Sequence, residues 1–120
     1  MNAKEFVERY VAVWNEPDER ARHARVAELW AQDGAHFTHW SEAHGHEAIA
    51  ARIASVFDRY VGGGGFNFRA LNGVEAHHST VKFYWALMPR DGGMARSVGS
   101  DFIVLDDAGR IRADYQFIEP

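Results

Sequence analysis

At Gly62-Gly63-Gly64-Gly65 the spacing of apolar residues changes period, and this switch constrains the chain more than any other feature. Before it, apolar side chains recur at helical spacing: Phe6, Tyr10, Val13 and Trp14, then Ile49, Ile53, Val56, Phe57 and Tyr60. After it they alternate with period two over 66–71, 74–88, 94–105 and 110–118. Asn72-Gly73, Asp91-Gly92-Gly93 and Asp107-Ala108-Gly109 supply the turns that join these stretches as hairpins. Four consecutive glycines neither prolong a helix nor offer side chains to a sheet. The sequence therefore predicts an α+β fold, with three N-terminal helices packed on one face of a curved antiparallel sheet.

Local signals set the boundaries. Asn2, with Glu5 three residues on, caps a first helix that stops before Pro17. Asp18 caps a second, read to run to about residue 32, with Val26, Ala27, Leu29 and Trp30 inward and Arg20, Arg22 and Arg25 outward. Asp33-Gly34 then stops it. Residues 35–40 alternate as a strand, with Ala35, Phe37 and His39 on one face and His36, Thr38 and Trp40 on the other. A loop runs through His44, and the third helix starts at Gly45-His46-Glu47. The stretch 74–88 places Val81, Phe83, Trp85 and Leu87 on one face and Tyr84, Ala86 and Met88 on the other. Three helices cover only one face of a sheet, so the second apolar face is expected to meet another copy of the chain as a homodimer.

Composition removes several classes. With 120 residues and 47% hydrophobic content the chain has the size of one domain spanning 1–120. The absence of cysteine excludes a disulfide scaffold, a thiolate metal site and a catalytic thiol. A formal net charge of −4 without a basic stripe argues against nucleic acid, and the longest apolar run, 83–88, is too short to span a bilayer. A cytoplasmic setting is expected. His36, His39, His44 and His46 do not read as a metal set, because alternation separates the first two and no carboxylate stands at a recognised spacing from the others. The glycine run ends a helix and lacks a following Gly-Lys-Ser/Thr, so it is not a phosphate loop.

Three segments carry a resemblance: Arg9-Tyr10; Trp30-Ala31-Gln32-Asp33-Gly34-Ala35 leading to Gly45-His46-Glu47-Ala48-Ile49; and Gly99-Ser100-Asp101-Phe102 followed by 106–111. With their spacing, the whole chain resembles the NTF2-like superfamily of cone-shaped α+β domains, in its ketosteroid isomerase and SnoaL-like polyketide cyclase branch. The resemblance implies a small-molecule isomerase, cyclase or dehydratase acting on an apolar or aromatic carbonyl compound, with no metal and no organic cofactor. It places Tyr10 at the family's oxyanion tyrosine and Asp101 at its protonated aspartic acid. His39 stands where ketosteroid isomerases keep a carboxylate base, and Asp114 would turn toward the cavity. A solvated ion pair with Arg110 or Arg112 is the other reading of Asp114.

Removing a proton beside a carbonyl needs a base in reach and donors aimed at the oxygen where charge develops. Tyr10 supplies one donor, and Asp101 a second if an apolar pocket keeps it neutral, an effect for which ketosteroid isomerase is the type case. Trp14, Phe37, Phe57 and Tyr84 are the candidate walls, and His39, of a residue type that titrates near neutrality, is the candidate base. In a second arrangement Asp101 is ionised and orients His39 as an acid/base dyad. The alternative from another class is a noncatalytic small-molecule-binding or dimerisation module.

Overall fold

The computed structural model describes residues 2–119. Asn2 caps α1 (Ala3–Asn15): its side-chain oxygen accepts the Glu5 N–H at 2.8 Å, and its amide donates to the Glu5 carboxylate at 3.2 Å. Asp18 caps α2 (Glu19–Leu29) through the Arg20 N–H at 3.2 Å, and Arg9 bridges the two helices to Glu28 at 3.0 Å. The helix α3 (Gly45–Val56) runs into a π-helical turn, Phe57–Gly62, before the glycines end it.

The strands are β1 (Trp30–Phe37), β2 (Glu42–His44), β3 (Phe66–Ala70), β4 (Glu75–His77), β5 (Thr80–Pro89), β6 (Ser97–Leu105) and β7 (Ile111–Ile118). They form one sheet in the order β2-β1-β7-β6-β5-β3, with β4 paired to β5. The path is open at β2 and β3, so the sheet curls without closing. Its pairs are antiparallel except β1 with β7, which run parallel, so the sheet is mixed and not antiparallel throughout. Asn15, at the end of α1, ties the helix to the β3 edge by exchanging two 2.8 Å hydrogen bonds with the Phe68 backbone.

Four local expectations are corrected. The second helix stops at Leu29, because Trp30 pairs with Ile111 and is fully buried; that tertiary contact outweighs the helical reading of 30–32. Arg22 lies inside and Ala27 outside. The Arg22 guanidinium donates to the carbonyls of Glu16 at 2.8 Å and Pro17 at 3.3 Å and sits 4.8 Å over the Phe57 ring, so its burial is satisfied. The loop before α3 contains β2. The long strand 74–88 is two strands joined at His78 and Ser79, whose φ values of +48° and +65° make the left-handed pair that a two-residue hairpin requires.

The helices cover the concave face, where Val13, Ile49, Ile53, Phe83 and Ile103 pack with no exposure. The convex face carries two cross-strand rows: Phe37, Tyr115, Phe102 and Lys82, then Phe117, Ser100 and Tyr84. Tyr84, Phe102, Tyr115 and Phe117 are 40–45% exposed there. Among the described residues no helix is long and apolar enough to cross a membrane.

Candidate active site

Tyr10 lies on the buried stripe of α1, its ring held by Trp14, Trp30 and Phe83 at centroid distances of 6.1, 5.6 and 5.2 Å. This cage delivers its hydroxyl between two acids of the concave face, 2.9 Å from Asp101 Oδ2 and 2.5 Å from Asp114 Oδ2. In the β6–β7 register Asp101 faces Gln116 and Ile103 faces Asp114, so the two acids are diagonal neighbours on one face. Strict alternation from the buried Ile111 would turn Asp114 outward. A register shift beside Leu105 resets the phase and turns it in, the re-aiming that bulges provide. The parallel pair with β1 adds His36 opposite Asp114. From β5, the Trp85 indole N–H donates to Asp101 Oδ1 at 2.8 Å. Its ring fits because Gly99 stands opposite; a methyl group there would overlap the indole and the Phe117 carbonyl.

Proton accounting fixes the charge of the cluster. One hydroxyl hydrogen cannot serve two carboxylates at once, so one of the two acids is protonated. Asp114 has no exposure, its Oδ1 has no partner, and among the described residues Tyr10 is the one hydrogen-bond donor to it; burial, followed by the charge of Asp101, pushes its pKa well above the usual carboxylate value. Burial also raises Asp101, but hydrogen bonds from Asp114, Tyr10, Trp85 and Gln116 oppose the rise. The upward push is thus stronger on Asp114 than on Asp101, and Asp114 is the acid that the fold favours in its neutral form. Burial, and then these acids, push the Tyr10 phenol well above its ordinary value, so it stays protonated.

His36 is 1% exposed, and neither ring nitrogen has a hydrogen-bond partner. Burial first, then the Arg52 charge, lower its pKa to about 3. The 3.9 Å approach of its Nε2 to Asp114 Oδ2 is thus a contact between two neutral groups and not an ion pair. His36, Asp101 and Asp114 place ligand atoms within 4.8 Å of one another, a donor set a divalent ion could use. The hydroxyl of Tyr10 already links the two acids and Trp85 holds another carboxylate oxygen, so hydrogen bonding accounts for the cluster.

The structure brings Tyr10, Asp101 and Asp114 together and leaves other candidates elsewhere. Asp114 is not a solvated partner of Arg110 or Arg112. His39 lies beyond the end of β1, exposed, with its ring 5.4 Å from Trp40 and 5.9 Å from Phe117, and it does not meet Tyr10 or Asp101. His36 and His39 do take opposite sides, but pairing with Asp114 gives the inward side to His36. Phe37 stacks on Tyr115 at 5.0 Å on the convex face, which Tyr84 shares, so neither is a cavity wall. Phe57 is buried beneath Arg22 at the π turn. Sequence reasoning missed Trp85, Gln116 and Arg52, whose positions depend on strand register and on the far face of α3.

A cavity of about 360 Å3 opens at the mouth of the cone, lined by Trp14, Arg52, Tyr60, Phe68, Trp85 and Gln116 among others. Beneath it, against Tyr10 and Phe83, only about 10 Å3 is free, the lower limit for one water. Trp14, Phe68, Trp85 and Gln116 line both spaces and form the layer between cavity and acids. Gln116 is the weak point of that layer, because its amide reaches Asp101 Oδ1 at 3.5 Å, a long hydrogen bond.

No protein-family model and no curated protein sequence matches the chain. Solved structures do. A "putative isomerase of the SnoaL-like family" from Agrobacterium tumefaciens is 26% identical, with a TM-score of 0.87 over 97% of this chain and 96% of its own. An NTF2-like protein of unknown function from Exiguobacterium is 18% identical, with a TM-score of 0.68 over 95% and 98%. A protein with a ketosteroid isomerase-like fold from Catenulispora acidiphila, solved with trimethylamine, is 15% identical, with a TM-score of 0.69 over 93% and 83%. The last two bear on the fold alone.

Proposed function

We propose that this chain, with the NTF2-like fold and a SnoaL-like protein as its match over nearly its whole length, is an acid/base enzyme of the isomerase or lyase kind that moves a proton on a small carbonyl compound. One observation carries this reading: two carboxyl groups, Asp101 and Asp114, share a single tyrosine hydroxyl, fully buried, one side-chain layer below an aromatic cavity. That arrangement is costly to fold and tunes a carboxylate toward neutral-pH proton transfer. Asp101 is the base. It takes a proton from the carbon beside the carbonyl: the C–H bond breaks, an O–H bond forms on Asp101, and the electron pair moves to the carbonyl oxygen as an enolate. Asp101 then gives a proton, either the one it took or one it has exchanged with solvent, back to the same or another atom of the compound, and its carboxylate is restored. Tyr10 and Asp114 hold the charge of Asp101, and Gln116 yields its long hydrogen bond to the incoming ligand. Trp14 and Phe68 supply flat apolar contact. This chemistry calls for no metal or organic cofactor.

The filled floor supports a second reading, a noncatalytic binding module, because Asp101 has no exposure and the space above Tyr10 is about 10 Å3. Deuterium exchange at the carbon beside the carbonyl, followed by NMR on a panel of flat bicyclic ketones with and without a carboxylate, separates the two. Exchange should be catalysed by the wild-type protein and fall by about 10²–10⁴-fold in Asp101→Asn, with ligand affinity changed only a few-fold. Equal exchange in both proteins leaves the binding module standing.

A further inference from the structure

Arg52 is the group whose surroundings the proton chemistry leaves unexplained. It projects from α3 into the mouth cavity, half-buried, with its Nε fully buried and without a hydrogen-bond partner. No ion pair among the described residues reaches it. The contrast with Arg22 is direct: that buried guanidinium is satisfied by two backbone carbonyls and an aromatic face. Burying a charge without a partner is expensive, and sequences retain such a group where something else supplies the partner.

The rest of the cavity repeats the sign. Arg59 follows Arg52 on the same helical face and lies 5.3 Å over the Tyr60 ring, and Arg96 lines the opposite rim ahead of β6. Among the described residues no carboxylate side chain lines the cavity, although the chain as a whole is acidic, at −4. Between these cations stand the flat faces of Trp14, Phe68 and Trp85. The Trp14 indole N–H is itself buried and unpartnered. The volume of about 360 Å3 is at the small end of the range for ligand sites.

Resting on the reading of this cavity as the substrate site, we propose that its ligand is a flat aromatic or conjugated carboxylate, with the carboxylate on Arg52 and the ring system between Trp14 and Trp85. The substrate of the proton transfer is then a carbonyl compound that also carries an acid group, and Arg52 decides which end of it enters last. Arg59 and Arg96 extend the positive field to the rim and draw the anion in. Burial lowers the Arg52 pKa and leaves the guanidinium partly desolvated, so it gains more from a bound carboxylate than a fully solvated one does.

The test uses 2-naphthoate and its neutral twin 2-naphthamide, which match in shape and differ in charge. Calorimetry and the fluorescence of the cavity tryptophans give their affinities for the wild-type protein, Arg52→Gln and Arg96→Gln. Wild type should bind naphthoate at least about tenfold more tightly than naphthamide. Arg52→Gln should bring the ratio near one while naphthamide affinity stays unchanged, and Arg96→Gln should reduce it in part. Added salt should weaken naphthoate alone. The thermal midpoint of Arg52→Gln should equal or exceed that of wild type, since the arginine has no partner in the fold. Equal binding of the twins, a preference that survives Arg52→Gln, or binding of neither overturns the inference. The exchange experiment fails independently: a charge preference without Asp101-dependent exchange keeps the ligand class and removes the proton transfer, and the reverse result removes the ligand class alone.

Discussion

At Asp114 and His36 the fold holds two side chains in the protonation state opposite to the one each would adopt in water at neutral and mildly acidic pH respectively. The two have opposite effects on stability. His36 is neutral in the fold down to about pH 3 and gains a proton near 6.5 once unfolded, so between those values stability rises with pH. Asp114 ionises near 4 when unfolded but well above that in the fold, so its contribution is fully present below about 4 and is lost as pH rises through the folded value. From about pH 4 upward, as far as the two windows overlap, the slopes offset each other. Urea unfolding across pH checks this. His36→Gln should uncover the falling slope from about pH 4 upward, and Asp114→Asn should uncover the rising one, each at no more than roughly 1.4 kcal/mol per pH unit. Identical profiles for wild type and both variants would mean that neither side chain is held out of its usual state.

Among the elements, two irregularities do most to build the site. The register shift in β7 turns Asp114 inward, and Gly99 in β6 admits the Trp85 indole that holds Asp101. Gly99→Ala should destabilise the fold by about 1–3 kcal/mol, because the added methyl has backbone on one side and a buried ring on the other. It should also slow exchange by displacing the Trp85 donor, whereas Ala108→Gly in the distant β6–β7 turn should leave exchange unchanged; chemical denaturation and the exchange assay read the two effects. Tyr10 was legible because helical spacing puts it beside Phe6 and Trp14, and Asp101 because a carboxylate amid apolar strand residues is anomalous. The inward phase of β1 was not legible, since His36 and His39 both alternate acceptably and only pairing with β7 chooses between them. Trp85, Gln116 and Arg52 depend on contacts between elements distant in sequence. The His78-Ser79 turn lacks glycine, so nothing local separated β4 from β5.

For the whole molecule, the curved sheet leaves one side covered and one side open. The convex rows of Phe37, Tyr115 and Phe102 and of Phe117 and Tyr84 make an apolar surface that no helix covers. We propose that it is the interface of a homodimer, a symmetric sheet-to-sheet contact on the side of the sheet opposite the helices. Light scattering should give twice the 13.6 kDa chain mass for the wild type, and Phe102→Glu should return it to one chain while the cavity still binds its ligand. A wild-type monomer would contradict the interface.

The proposed chemistry requires a carboxylic acid kept neutral beside a carboxylate inside the cone. Carboxyl 13C NMR on aspartate-labelled protein, titrated from pH 3 to 9, observes this directly. One buried signal should stay at the protonated position through pH 7 and disappear in Asp114→Asn, while a second, lost in Asp101→Asn, is that of an anion at neutral pH. Two buried carboxyls that both ionise near pH 4 would contradict the shared proton and, with it, the proposed chemistry.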